Sequence, residues 1–291
     1  MAQRFGNDPA GIAALLAGLG APHLVVSEPT GRYHYALWTA LAGAGHGAAP
    51  INLCRARCLA PCHVGGRGQL AKTDAIDADV LAGIAAIDRP VARAAPSETA
   101  LRISEISTAR RGMVAARAKA QTQGAMAQTE LVHSLCRRLA ADLTQAVEAL
   151  EAELDRLIDA EATTRRMAEI LVSIPGIGAV TARSLIADLP EIGRMDAKEV
   201  AAMTGTAPYA RSSGQWRGKT HTKGGRQDLR SALYMPALTA MTRNPGIKAF
   251  ADRLRAAGKP GRVIVIAVIR KLVILANTLV HQNRTWTKTA P

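Results

Sequence analysis

The stretch TDAIDAD sets Asp74, Asp77 and Asp79 within six positions, and a further acid, Glu28, closes the run PHLVVSE. Asp74 and Asp77 are three apart, so a helix presents both on one side. Asp79 then points elsewhere and is read as solvated. Glu28 stands at the end of an apolar run that reads as a strand, where the ligand sites of parallel sheets gather. Carboxylates crowded at one cleft repel unless a divalent cation neutralises them, and Mg²⁺ takes oxygen ligands and bridges them to phosphate oxygens. By chemistry alone the simpler reading is an acidic first helical turn that complements the helix dipole. A second candidate is the loop RSSGQWRGKTHTKGGRQDLR, with Ser212, Ser213 and Trp216 among Arg211, Arg217, Lys219, Lys223, Arg226 and Arg230. A basic Gly-rich segment of this kind lies along a nucleic-acid backbone, with Trp216 available for stacking. A serine there is ordinarily a hydrogen-bonder and only exceptionally a nucleophile.

Charge supports a polyanion partner. The 291 residues carry a formal charge of +14. Residues 1–165 hold 17 Lys/Arg against 16 Asp/Glu, and residues 166–291 hold 20 against 7. A basic surface confined to one half is the footprint of a protein that displaces counterions from phosphates. Hydrophobic residues make up 48% of the chain and aromatics 3%, so cores of Ala, Val, Leu and Ile are expected rather than disorder. Cys54, Cys58 and Cys62 with His63 tempt a metal reading, but their spacing is not that of a zinc site, and with Cys136 they are read as reduced thiols. The N-terminal apolar run reads as a short amphipathic helix. The run 263–280 has nearly membrane length, but Arg270 and Lys271 at its centre make it a buried helix. No membrane segment is expected, and the cytoplasm is the expected location.

The elements that position these residues follow from the pattern. Runs 22–28 and 48–53 read as strands joined through a helix by short connections, which predicts a parallel sheet. Thr73 is placed to cap a helix starting at Asp74. No proline occurs between Ser97 and Ile174, and apolar residues recur there at helical spacing, so long helices packed as a hairpin or coiled coil are expected. The run SIPGIGAVTARSLIADLP then reads as a helix-hairpin-helix, with Gly176 and Gly178 letting backbone N–H groups approach a phosphate, or as a plain tight turn. An irregular loop at 211–226 precedes a helix from about Gln227.

The order VSEPTGRY, KTDAIDADVLA, a long helical spacer, IPGIGAVTARSLIADLP and YARSSGQWRGKTHTKGGRQDLRSALY resembles the DEDD insertion-sequence transposases of the one-ten/one-sixteen family, the bridge-RNA-guided recombinases. The resemblance implies an incomplete α/β domain of the RNase H/RuvC-like type over 1–92, a helical coiled-coil dimerisation region over 93–165, and a mainly α serine-bearing domain with a helix-hairpin-helix over 166–291. It implies that Glu28, Asp74 and Asp77 hold Mg²⁺, and that Ser213, with Ser212 as the alternative, attacks the scissile phosphate to form a covalent protein–DNA link. DNA, a guide RNA and a homo-oligomer (dimer or tetramer) with a composite site are the implied partners. The family's first Asp lies on a strand before the helix that here begins near Pro9, and Asp8 does not match that position. The chain therefore reads as an N-terminally truncated copy whose competence is at issue. A nucleic-acid-binding relic and a metal-dependent nuclease of the Holliday-resolvase type are the competing readings.

Overall fold

In the computed structural model, residues 3–29, 33–51, 74–209, 212–213, 216–218 and 220–288 are described. For 74–76, 212–213 and 216–217 this extends to the backbone alone. Thr73, Arg211, Lys219 and the Cys54–His63 stretch lie outside the described residues. The chain is mostly helical and divides into two compact units, Met1–Ser97 and Glu98–Pro291.

In the first unit, α1 (Pro9–Leu19) begins where Asp8 Oδ1 accepts from the Gly11 N–H at 2.7 Å, with Pro9 in the first turn where its missing N–H costs nothing. Asp8 is thus a helix cap. Strand β1 (Leu24–Ser27), helix α2 (Tyr33–Gly43) and strand β2 (Gly47–Pro50) follow. The strands pair in parallel from Leu24↔Gly47 to Ser27↔Pro50, as their short connections predict. Helix α3 (Asp74–Asp88) starts at the acid-rich stretch. Val80 and Ile84, on one side of α3, pack with Ile51 and the partly buried Val26 of β1 and Leu81. This cluster is what ties the acidic helix to the sheet.

In the second unit the proline-free stretch forms α4 (Glu98–Met126), α5 (Glu130–Ala160) and α6 (Ala162–Val172). Helices α4 and α5 form an antiparallel hairpin: Arg102 meets Glu153, Arg110 pairs with Glu151, and Gly124 lies so close to Cys136 that an added Cβ would sit 3.0 Å from it. After α6 come α7 (Ala179–Asp188) and α8 (Ala197–Met203), the latter opened by an Asp196–Glu199 capping box. Two antiparallel strand pairs then precede α9 (Gln227–Ala232), α10 (Tyr234–Arg243), α11 (Pro245–Ala256) and α12 (Gly261–His281).

Helix α12 is long and apolar enough to cross a membrane, but here it is the core of this unit. Val268, Ile269, Leu272, Val273 and Ala276 are fully enclosed. Arg270 and Lys271 leave the core on the opposite edge, with Lys271 Nζ 4.8 Å from the centre of the Phe250 ring.

Candidate nucleic-acid interface

In its described residues the basic segment forms an antiparallel ribbon of two strand pairs, not the irregular loop its composition suggests. Strand β3 (Pro208–Tyr209) pairs with β6 (His221–Thr222), and β4 (Ser212–Ser213) pairs with β5 (Trp216–Arg217). The outer register is Pro208↔Thr222 and the inner is Ser213↔Trp216. Ser213 is therefore the last paired residue before the Gly214–Gln215 connection, and Trp216 stands opposite it. Tyr209, His221 and Lys223 are exposed along the described part.

The base of the ribbon is clamped. Gly205 and Gly225, at φ 64° and 72°, pass so close that a Cβ on Gly225 would fall 2.1 Å from the Gly205 nitrogen, so only glycine fits. The Arg226 N–H donates to Met203 O at 2.7 Å. Its guanidinium donates to both Glu191 oxygens, at 2.9 and 2.7 Å, and to Asp188 O at 2.5 Å. Arg230 Nη1 reaches Gly205 O and Gly224 O, each at 3.2 Å. These two arginines, counted in the sequence among the nucleic-acid contacts, hold the ribbon to the helices. Lys223 stays exposed, while the side chains of Arg217, Ser212, Ser213 and Trp216 lie outside the described residues, as do Arg211 and Lys219.

The Pro-Gly-Ile-Gly turn joins α6 to α7, and its two glycines differ. Gly176, at φ 110°, lies against α10, where an added Cβ would sit 2.7 Å from Ala240 Cβ. Its bareness serves packing. Gly178 is exposed, precedes α7 with no side-chain cap, and faces open space. Helix α7 is fixed to the α4–α5 hairpin by Arg183, which donates to Asp155 at 2.6 and 2.5 Å and lies 3.4 Å from Glu151. The hydrogen bond to Asp155 pushes the Arg183 pKa above its ordinary value. Arg111 of α4 donates to Asp188 at 2.5 Å.

In the first unit, Glu28 directly follows β1 and is half-buried. Asp77 is half-buried on the side of α3 that also carries Val80, Leu81 and Ile84, whereas Asp79 is exposed. Asp74 opens the same helix, its side chain outside the described residues. Among the described residues no group of three His, Cys, Asp or Glu side chains is close enough to hold a metal ion.

Sequence comparison defines the class of this architecture. A model described as transposase of the IS116/IS110/IS902 family matches residues 168–252, and a second transposase model, of the DEDD IS110 type, matches residues 1–129. The chain belongs to the IS116/IS110/IS902 transposase family. Among individual relatives, the pilin gene-inverting protein of Moraxella bovis is 32% identical over 149 residues, 50% of this chain and 46% of that protein. The insertion element IS900 42 kDa protein of Mycobacterium paratuberculosis is 31% identical over 160 residues, 51% of this chain and 39% of its own length. The insertion element IS110 43.6 kDa protein of Streptomyces coelicolor is 30% identical over 140 residues, 46% and 34% of the two chains. The matched part thus spans about half the length of these curated relatives or less.

Proposed function

We propose that the protein is an insertion-sequence recombinase that cleaves and rejoins DNA through Ser213. The observation that carries this is the position of Ser213, paired with Trp216 at the end of a clamped basic ribbon in a chain of the transposase family. A relative named for inverting a pilin gene points the same way, because inversion requires strands to be cut and rejoined. In the cleavage step the serine Oγ forms a bond to the scissile phosphorus and loses its proton, and the bond from phosphorus to the departing deoxyribose oxygen breaks. That oxygen takes up a proton, and the energy of the phosphodiester is conserved in the serine ester for rejoining. Clamping the ribbon at Gly205, Gly225, Arg226 and Arg230 holds the nucleophile on a stiff support, which favours in-line attack.

Glu28, Asp74 and Asp77 serve as the Mg²⁺ ligands of this reading. Glu28 after β1 and Asp77 on α3 are half-buried carboxylates, the oxygen donors that a hard cation takes. When bound, such a cation stabilises charge on the phosphate oxygens. The free N-terminus of α7 behind Gly178 and the cations of the ribbon bind the DNA backbone, and a guide RNA is the second nucleic acid of the reading. The protein acts in the cytoplasm as a homo-oligomer. Leu131, Leu135 and Leu139 support this, because they form an exposed stripe on α5 while the small Ala120, Gly124 and Ala140 fill the seam inside the hairpin. The three-part division at 92/93 and 165/166 assigns these roles in chain order.

The test is a denaturing gel of the protein with end-labelled insertion-sequence DNA, guide RNA and Mg²⁺. A covalent adduct that disappears in Ser213→Ala is expected, and Asp77→Asn is expected to lower its yield at least about hundredfold. Cleavage that persists when Ser212 and Ser213 are both alanine would replace this reading with the metal-dependent nuclease. Salt-sensitive binding with neither adduct nor cleavage would leave a nucleic-acid-binding protein only.

A further inference from the structure

A cleft of about 480 Å³ opens in the second unit between the start of α6, the 192–194 turn and the end of α12. Its walls include Met167, Ile170, Ile192 and Val280, and Arg166, Arg194 and His281 stand on its rim. The rim is held in place. The buried Asn277 accepts from the Gly193 N–H at 2.8 Å and donates to Met195 O at 2.7 Å. His281 Nδ1 lies 2.9 Å from Gly193 O, so it carries the proton and leaves Nε2 free of this contact.

The two arginines differ in what they offer. Arg166 has all three guanidinium nitrogens engaged: Nε donates to Asn283 Oδ1 at 3.1 Å, Nη2 to Asn283 O at 3.2 Å, and Nη1 to Glu169 at 2.8 Å. Asn283 adopts φ 48°, a conformation that asparagine tolerates, as the residue ending α12 in a Schellman turn. A guanidinium immobilised in this manner has its edge occupied and offers its flat face, on which aromatic rings stack. Arg194 is exposed, and no carboxylate pairs with it among the described residues. It is therefore free to meet a phosphate.

We propose that this cleft receives one unstacked base of a nucleic-acid strand, with the base on the Arg166 face and against the apolar wall and the neighbouring phosphate on Arg194. The proposal rests on the nucleic-acid reading above. A bare phosphate fits less well because the fork of Arg166 is already occupied, and an apolar peptide side chain would leave the rim cations unused. Volume, flat cation, apolar wall and free cation together are the requirements of single-strand binding.

The experiment uses the full chain and two single-stranded probes, an oligo-dT carrying one 4-thiothymidine and an oligo-U carrying one 4-thiouridine. Ultraviolet crosslinking with peptide mapping is expected to place adducts within 162–170, 192–194 or 280–283, and the two probes distinguish DNA from RNA. In anisotropy titrations Arg194→Gln is expected to weaken binding about five- to tenfold and to reduce the salt slope by about one. Arg166→Lys keeps the charge but loses the flat face, and is expected to weaken binding about fivefold and remove the cleft adduct. Both positions are partly exposed, and an unchanged circular-dichroism melt shows that the variants fold. Full affinity in both variants, with adducts confined to 208–223, would overturn the cleft and leave the ribbon reading intact. No binding of either probe at low salt would overturn both.

Discussion

The two compact units hold their chemistry on very different foundations. Among the described residues, the first unit joins its acidic helix to its sheet through Ile51, Val80 and Ile84, and no residue of β1 is fully buried. The second unit encloses α12 in a continuous core drawn from α4 to α11, and clamps its ribbon with paired glycines and the guanidinium groups of Arg226 and Arg230. Two-stranded sheets are marginal by themselves and gain rigidity from what covers them. The contrast teaches that the serine arm is built on a preformed scaffold, whereas the acids stand on a thin one. On the proposed reading of Glu28, Asp74 and Asp77 as Mg²⁺ ligands, cation binding should therefore stabilise the first unit more than the second, by mass action.

The largest expected break in this contrast is Leu272→Ala. Leu272 is fully enclosed, and truncation should cost about 2–5 kcal/mol and lower the main urea transition read by circular dichroism. Ile84→Ala, equally enclosed in the first unit, should instead advance proteolysis within 1–97 and leave that main transition in place. A single transition shifted alike by both would show that the units unfold together.

The glycine pair gives a sharper and smaller contrast. Gly176→Ala places a Cβ against Ala240 at φ 110° and should cost about 1–3 kcal/mol in the same urea assay. Gly178→Ala meets open space and should shift stability by less than about 0.5 kcal/mol. Equal losses would mean that the turn does not pack on α10 as described.

The smallest effect is electrostatic. Asp252 accepts from Lys248 at 2.9 Å and Arg255 at 2.6 Å, and the Lys248 hydrogen bond foremost holds its pKa below the ordinary aspartate value. Because the folded value is depressed, the support is present above the ordinary aspartate range and is lost as pH falls through the lowered value. Carboxyl NMR should find the Asp252 midpoint low, and Lys248→Met should raise it. A midpoint unmoved by that change would remove Lys248 as the cause.

Patterns with a period were legible in the sequence. The short apolar runs predicted a parallel β1–β2 pair, and the proline-free stretch predicted the long helices. Arg270 and Lys271 marked α12 as a core helix with a wet edge. The ribbon was not legible, since neither strand alternates apolar and polar residues and its glycines read as breaks. Its base is set by the clamp of Gly205, Gly225, Arg226 and Arg230, which no local pattern announces. Nor does composition reveal partners: Arg226 and Arg230 count as free charge in the sequence, yet both are anchored in the fold. Asn283 carried no motif, because its role exists only where α12 ends beside Arg166.

The seven acids of residues 166–291 have a consequence for the field around the molecule. Glu169, Asp188, Glu191 and Asp252 are each held by an arginine, Asp228 lies 4.0 Å from Arg111, and Asp196 and Glu199 close a capping box. Asp188 and Asp228 share Arg111, and the other five acids each have a cation or a helix end beside them, so much of the negative field is cancelled close to the surface. The far potential belongs to cations such as Arg194, Lys198, Lys223, Lys259 and Arg262, and a polyanion approaching from solution meets an attraction that only dissolved salt can screen.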